Sequence, residues 1–209
     1  KIIYKKGLTL AYENLPNEHY TYSLLEEADF YAINLKMDKN GCYQFDLVTP
    51  FGTIKELKSG IAGKTNAENA VAASSLVCLA GLDEIYIRKN LASFEGVERR
   101  FDFQINTDEL IYVDDYAHHP EELKAFISSM RDLFPGKKIT GVFQPHLFSR
   151  TRDFAIEFAR SLEMLDELIL LEIYPAREEP IEGITSQIIF DKVGILSKSI
   201  CNLENLVQF

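Results

Sequence analysis

From residue 101 onward the chain alternates between short β-rich runs and stretches of helical period, and this alternation constrains the fold more than any other feature. Residues 101–106, 110–114, 138–143 and 167–172 read as strands, and 121–133, 152–164 and 185–192 as helices. Such spacing predicts an α/β domain built on a mainly parallel sheet. Ligands of these sheets lie beyond the carboxyl ends of the strands, so the loops found there are the first places to search for a site.

The first hundred residues read differently. Two β-rich runs, 30–36 and 42–48, flank Asp38-Lys39-Asn40-Gly41, a hairpin pattern. A turn at Thr49-Pro50-Phe51-Gly52 leads into a strand at 53–59, and the period then changes to that of a helix over 66–80 with Gly81 as its stop. A shorter helix over 83–94 takes Asp83 as its N-cap. Tyr12, Tyr20 and Tyr22 read as packing residues. The boundary is placed after Phe94-Glu95-Gly96-Val97, dividing the chain into 1–98 and 99–209.

Charge and cysteine usage narrow the function classes. The net charge is −10, which argues against nonspecific binding to nucleic acid or to an anionic membrane. Residues 1–100 carry 12 basic and 13 acidic groups, and the remainder 10 and 19, so the two parts differ in character. Cys42, Cys78 and Cys201 are scattered, outside any C-x-x-C spacing, which fits a reduced, cytoplasmic setting. The longest mainly apolar run, 70–82, is too short and too rich in Ala and Ser to span a bilayer, and the start of the chain lacks a basic-then-apolar signal pattern. The chain opens without Met, which suggests a piece of something longer. Homo-oligomer formation is left open.

The triplet Gly63-Lys64-Thr65 has the ending of a phosphate loop but not its beginning. The motif needs a glycine five residues before Gly63, where Lys58 stands, so this is not a P-loop.

Two polar clusters come directly after predicted strands: Asp114-Asp115-Tyr116-Ala117-His118-His119-Pro120, and Gln144-Pro145-His146-Leu147-Phe148-Ser149-Arg150-Thr151-Arg152. They contain three of the four histidines. A metal site is the first alternative, but neighbouring ligands on one short loop converge poorly on one ion and no H-x-x-x-H spacing is present. No metal ligand is therefore assigned. Arg150 and Arg152, read here as a helix start, oppose the helix dipole, an arrangement that calls for an anionic partner such as a carboxylate or phosphate. Arg99-Arg100 sits near the domain boundary, able to bridge the two parts or to reach a ligand. Glu178-Glu179-Pro180 reads as a solvated loop.

Five blocks, AGKTNAENAVAA (62–73), FEGVERRFDF (94–103), VDDYAHHPEEL (113–123), FQPHLFSRTRDF (143–154) and IYPAREEPIEGITS (173–186), together resemble the Mur ligase family. The resemblance implies the tail of a central ATPase domain, a β-hairpin and helix, followed by most of a C-terminal domain with a Rossmann-like, mainly parallel sheet. It implies ATP-driven amide formation, with L-alanine joined to UDP-N-acetylmuramic acid through an acyl phosphate and with Mg²⁺ on the phosphates. By position, Asn66 and Asn69 match residues beside the adenine, Arg100 one near the ATP phosphates, and Asp115 one on the ribose. Tyr116, His118, His119, His146, Arg150 and Arg152 match the surroundings of the amino acid and the muramoyl carboxylate, with Arg150 as the fork for the alanine carboxylate.

Thr65 and Leu147 depart from the family pattern, which commonly has His and often has Arg at these places. The resemblance also implies that the P-loop, the main Mg²⁺ ligands and the UDP-binding domain lie upstream of Lys1, and that a last strand lies beyond Phe209. No catalytic residue is assigned within this chain, and alone it is not expected to catalyse the ligation. The rival readings are a ligase that reattaches a recycled tripeptide to the same UDP-sugar, a non-catalytic nucleotide-binding module, and a metal-dependent hydrolase.

Overall fold

A computed structural model describes residues 1–9 and 18–208. It divides into two compact units, Lys1–Asp115 and Tyr116 onward.

In the first unit, β1 (Ile2–Lys5), β2 (His19–Ser23), β3 (Phe30–Met37), β4 (Cys42–Thr49) and β5 (Gly52–Ala62) form one sheet in that order. The pairings β1–β2 and β2–β3 are parallel, and β3–β4 and β4–β5 antiparallel. The expected hairpin at 38–41 is present. Asp38 Oδ1 accepts from the amides of Asn40 at 2.8 Å and Cys42 at 3.0 Å, and Gly41 turns the chain at φ 80°. The sequence does not announce strands β1 and β2, because their pairings are non-local and their runs are short. Tyr20 meets Phe30 edge-on and Tyr22 packs against the same core, whereas Tyr12 lies outside the described residues.

The helix α1 (Lys64–Leu79) buries Ala67, Ala70 and Val71 against Phe30, Phe45, Leu47 and Leu57 of the sheet. It ends at Gly81, φ 77°, as the sequence predicts. Next comes α2 (Glu84–Ala92), capped by Asp83, whose side chain accepts from the Ile85 amide at 2.9 Å. Close backbone approach explains two glycines. A Cβ on Gly60 would stand 2.1 Å from the Phe94 carbonyl oxygen, and one on Gly63, φ 96°, would stand 3.0 Å from the Phe101 ring. The glycine of the G-K-T triplet therefore serves packing under an aromatic ring.

Strands β6 (Asp102–Asn106) and β7 (Ile111–Asp114) pair with each other, antiparallel, as a separate two-stranded sheet. This corrects the expectation that they belong among the alternating strands of one sheet. Their short connection allows only a hairpin, closed here by Thr107 and Leu110.

The second unit carries the parallel sheet, β10 (Lys198–Cys201), β9 (Glu167–Leu171) and β8 (Thr140–Phe143) in spatial order. Central β9 is buried at Leu168, Leu170 and Leu171, as expected of a strand covered on both faces. Helices α3 (Pro120–Leu133), α5 (Ala155–Leu162) and α6 (Gln187–Phe190) complete its core. On α5 the buried residues Ala155, Phe158, Ala159 and Leu162 keep the i, i+3, i+4, i+7 spacing of one helical face. Burying Phe158 alone contributes about 2–3 kcal/mol.

The single helix read over 152–164 is two helices. Short α4 (Phe148–Asp153) ends at Phe154, φ −118°, where α5 begins. Arg150 and Arg152 thus occupy the last turn of α4, where the dipole favours cations, and the argument for an anion from a helix start does not hold. Among the described residues no helix is long and apolar enough to cross a membrane.

Candidate functional site

Three loops meet at the carboxyl end of the parallel sheet. The segment before α3 presents Tyr116, His118 and His119. The segment after β8 presents His146 and, through α4, Arg150. The segment after β9 presents Tyr174 and Glu178.

Backbone bonds lace the second loop to the third. Tyr174 N donates to the Pro145 carbonyl at 2.8 Å, and Leu147 N donates to the Tyr174 carbonyl at 3.0 Å. His146 and Tyr174 bridge in parallel, with rings stacked at 5.6 Å and 29°. Leu147 holds φ 72° and Ala176 φ 52°, left-handed conformations that side chains disfavour. Both strained residues flank these bridges.

The first loop is fixed by α3. Pro120 is the first helical residue, and Glu122 Oε2 accepts from the amides of His118 at 3.0 Å and His119 at 3.3 Å. His118 Nδ1 lies 2.9 Å from the Tyr116 carbonyl oxygen. A carbonyl only accepts, so Nδ1, which also lies 3.4 Å from Glu122 Oε2, bears a hydrogen, and in the neutral ring the lone pair is on Nε2.

His146 has the opposite tautomer. Arg150 Nη1 lies 3.4 Å from its Nδ1, and a guanidinium only donates, so Nδ1 accepts and Nε2 bears the hydrogen. Burial, then Arg150, then His118 push the His146 imidazole below its ordinary range, with Glu178 pulling the other way. The rings of His118 and His146 stand 6.0 Å apart. Arg150 Nη1 also lies 3.5 Å from the His118 carbonyl oxygen. This corner therefore offers one basic nitrogen, one imidazole N–H and a guanidinium.

Tyr116, His118, His146 and Arg150 thus come together as one cluster, and Tyr116 meets His118 edge-on at 5.3 Å. His119 turns away from it, its ring on Phe154 at 5.0 Å. Arg152 is exposed and paired with Asp153 at 2.7 Å. Sequence reasoning does not single out Tyr174 or Glu178, although both come after a parallel strand. Glu178 is not simply a solvated loop residue. It accepts from the Ser149 amide at 2.9 Å and from the Ser149 hydroxyl, bonds that hold its carboxyl below the usual range.

The candidates of the first unit stand on α1 and beside Phe101. Asn66 and Asn69 stand in the first turns of α1, with Asn66 Nδ2 donating to the Ala62 carbonyl at 2.7 Å. Asp115 Oδ2 accepts from the Phe101 amide at 2.8 Å, and Phe101 lies over Gly63. Arg100 is exposed, its amide bonded to the Val97 carbonyl, while Arg99 Nε pairs with Asp114 at 3.2 Å. Among the described residues no group of three or more His, Cys, Asp or Glu is arranged to hold a metal ion.

The family of the Mur ligase, glutamate ligase domain matches residues 99–208. The chain belongs to the Mur ligase family. Curated Mur ligase relatives include UDP-N-acetylmuramate–L-alanine ligases of Parabacteroides distasonis, 52% identical over 90% of this chain, and of Phocaeicola vulgatus, 49% identical over 99%. The chain spans only 41% and 45% of those two proteins. Among solved Mur ligase structures, the UDP-N-acetylmuramate-alanine ligase MurC of Thermotoga maritima superposes with a TM-score of 0.72 at 24% identity, over 90% of this chain and 41% of that one. The folylpolyglutamate synthase of Mycobacterium tuberculosis, complexed with ADP and AMPPCP, gives 0.71 at 16% identity, over 91% and 41%. At these identities the likeness speaks for the fold.

Proposed function

We propose that this chain is part of a ligase, the end of its central domain and most of its C-terminal one, that joins L-alanine to UDP-N-acetylmuramic acid at the expense of ATP, in the cytoplasm, for peptidoglycan synthesis. The observation that carries this reading is the 52% identity to a protein of that name over 90% of the chain.

The corner of the second unit suits an amino-acid substrate. Arg150 presents a planar fork to the carboxylate. The lone pair on His118 Nε2 can take a proton from the ammonium group, which must become a neutral amine before it attacks. The N–H on His146 Nε2 can donate to an oxygen that gains charge during the attack.

The first unit suits a nucleotide. The side chains of Asn66 and Asn69 would face the adenine edge, Arg100 the phosphates and Asp115 the ribose. ATP supplies the phosphoryl group that activates the muramoyl carboxylate. Mg²⁺ finds no gathered ligand set among the described residues, so no step is assigned to it.

The test uses the chain extended to the full length of its relatives. ADP release is measured with UDP-N-acetylmuramate and either L-alanine or the L-Ala-D-Glu-diaminopimelate tripeptide. Turnover with L-alanine alone supports the reading, and turnover with tripeptide alone moves it to the recycling ligase. The 209-residue chain by itself is expected to show no such turnover.

A further inference from the structure

Both carboxylate oxygens of Glu178 reach the start of α4, where the Phe148 backbone and Ser149 bond to them. Oε2 accepts from the Ser149 amide and Oε1 from the Ser149 hydroxyl. Ser149 immediately precedes Arg150 in the six-residue helix α4, too short to hold its geometry unaided. The glutamate itself is fixed, because its amide bonds to the Pro175 carbonyl at 3.0 Å across a turn that holds Ala176 at φ 52°. Charge alone would have favoured a direct pair with Arg150. Instead the carboxylate is taken by Phe148 and Ser149, and among the described residues Arg150 acts on it only through its charge, forming no salt bridge.

We propose that Glu178 is a positioning residue for amino-acid binding, which fixes Ser149 so that Arg150 stays against His146 and His118 with its guanidinium left for a substrate carboxylate. This rests on the ligase reading for its substrate. Its geometry does not. Glu178→Gln keeps one acceptor oxygen but turns an NH₂ toward donors, so the clamp opens without an overpacked side chain.

The experiment has two readouts. In the extended, full-length ligase, Glu178→Gln is expected to raise the KM for L-alanine roughly tenfold, the loss of a charge-assisted hydrogen bond, while the KM for UDP-N-acetylmuramate stays within about twofold. In an Arg150→Ala background the same substitution should add nothing to that KM. An equal rise in both backgrounds, or no rise, overturns the proposal. In the 209-residue chain carrying Arg150→Ala, where the guanidinium no longer acts on the ring, NMR titration of His146 should move to lower pH on Glu178→Gln, because an anion that favours the imidazolium is gone. An unmoved titration with the fold intact overturns the placement of Glu178 beside this cluster. If the unsubstituted full-length enzyme ignores L-alanine but His146 moves, the ligase reading has failed and the clamp geometry stands. Glu178→Asp, which keeps the charge but shortens the reach, should recover the His146 titration better than the KM.

Discussion

The guanidinium of Arg150 stands 3.4 Å from Nδ1 of His146. One side chain thereby fixes the tautomer of the other and discourages its protonation. Arg150→Ala should therefore let His146 titrate closer to its ordinary value of about 6.5, visible by NMR. Because the folded value is depressed, the associated stability is complete above the unfolded value and is lost as pH falls through the folded one. The loss of urea resistance on acidification through that window should be shallower in Arg150→Ala than in the unsubstituted chain. An identical slope would contradict the coupling.

Arg150 and Arg152 look interchangeable in the sequence, but one faces the histidines and the other is held on Asp153. In the full-length ligase, Arg150→Ala should raise the KM for L-alanine by about tenfold to a hundredfold, as expected for a lost charged hydrogen bond. Arg152→Ala should change it by less than about threefold, typical of an exposed pair. Steady-state kinetics at saturating nucleotide decide between them.

Two glycines should respond differently to one added methyl group. On Gly60 it meets the Phe94 and Leu91 carbonyl oxygens, at 2.1 and 2.9 Å, which cannot move without the backbone. On Gly141 it meets Leu165 Cδ1 at 2.4 Å, the end of a side chain rather than main chain. Gly60→Ala should cost about 3 kcal/mol and Gly141→Ala about 1 kcal/mol, by urea denaturation. Equal costs would mean that the backbone at Leu91 and Phe94 does not press on β5.

Asp115 has a structural duty whatever else it binds. Its carboxylate takes the amide of Phe101, a buried residue at φ 52°. Asp115→Ala should destabilise the fold by about 1–3 kcal/mol, while Asp115→Asn, which keeps an acceptor oxygen, should cost less. If Asp115 also meets the ribose, Asp115→Asn in the full-length ligase raises the KM for ATP with the melting temperature nearly unchanged.

Local chemistry is legible in the sequence, and long-range pairing is not. Asp38 and Gly41 announce their turn and Asp83 its cap, because each acts on neighbours a few residues away. Strands β1, β2 and β10 escape notice because Ile2–Lys5 and Lys198–Cys201 gain stability only from distant partners. The two histidine-bearing loops stand out because each comes directly after a β-rich run. The loop after β9 shares that position and holds Tyr174 and Glu178, but their part depends on a third loop folding back over the second. The break at Phe154 has neither Gly nor Pro to announce it, which is why the sequence assigns the arginines to the wrong end of a helix.

The lacing between the loops after β8 and β9 is made of main chain: Tyr174 N on Pro145, Leu147 N on Tyr174. Side chains at 146 and 174 project from this frame without supplying its bonds. A descendant of this protein can therefore exchange those two rings for other groups and keep the loops where they are. In this corner, new specificity is accessible one codon at a time.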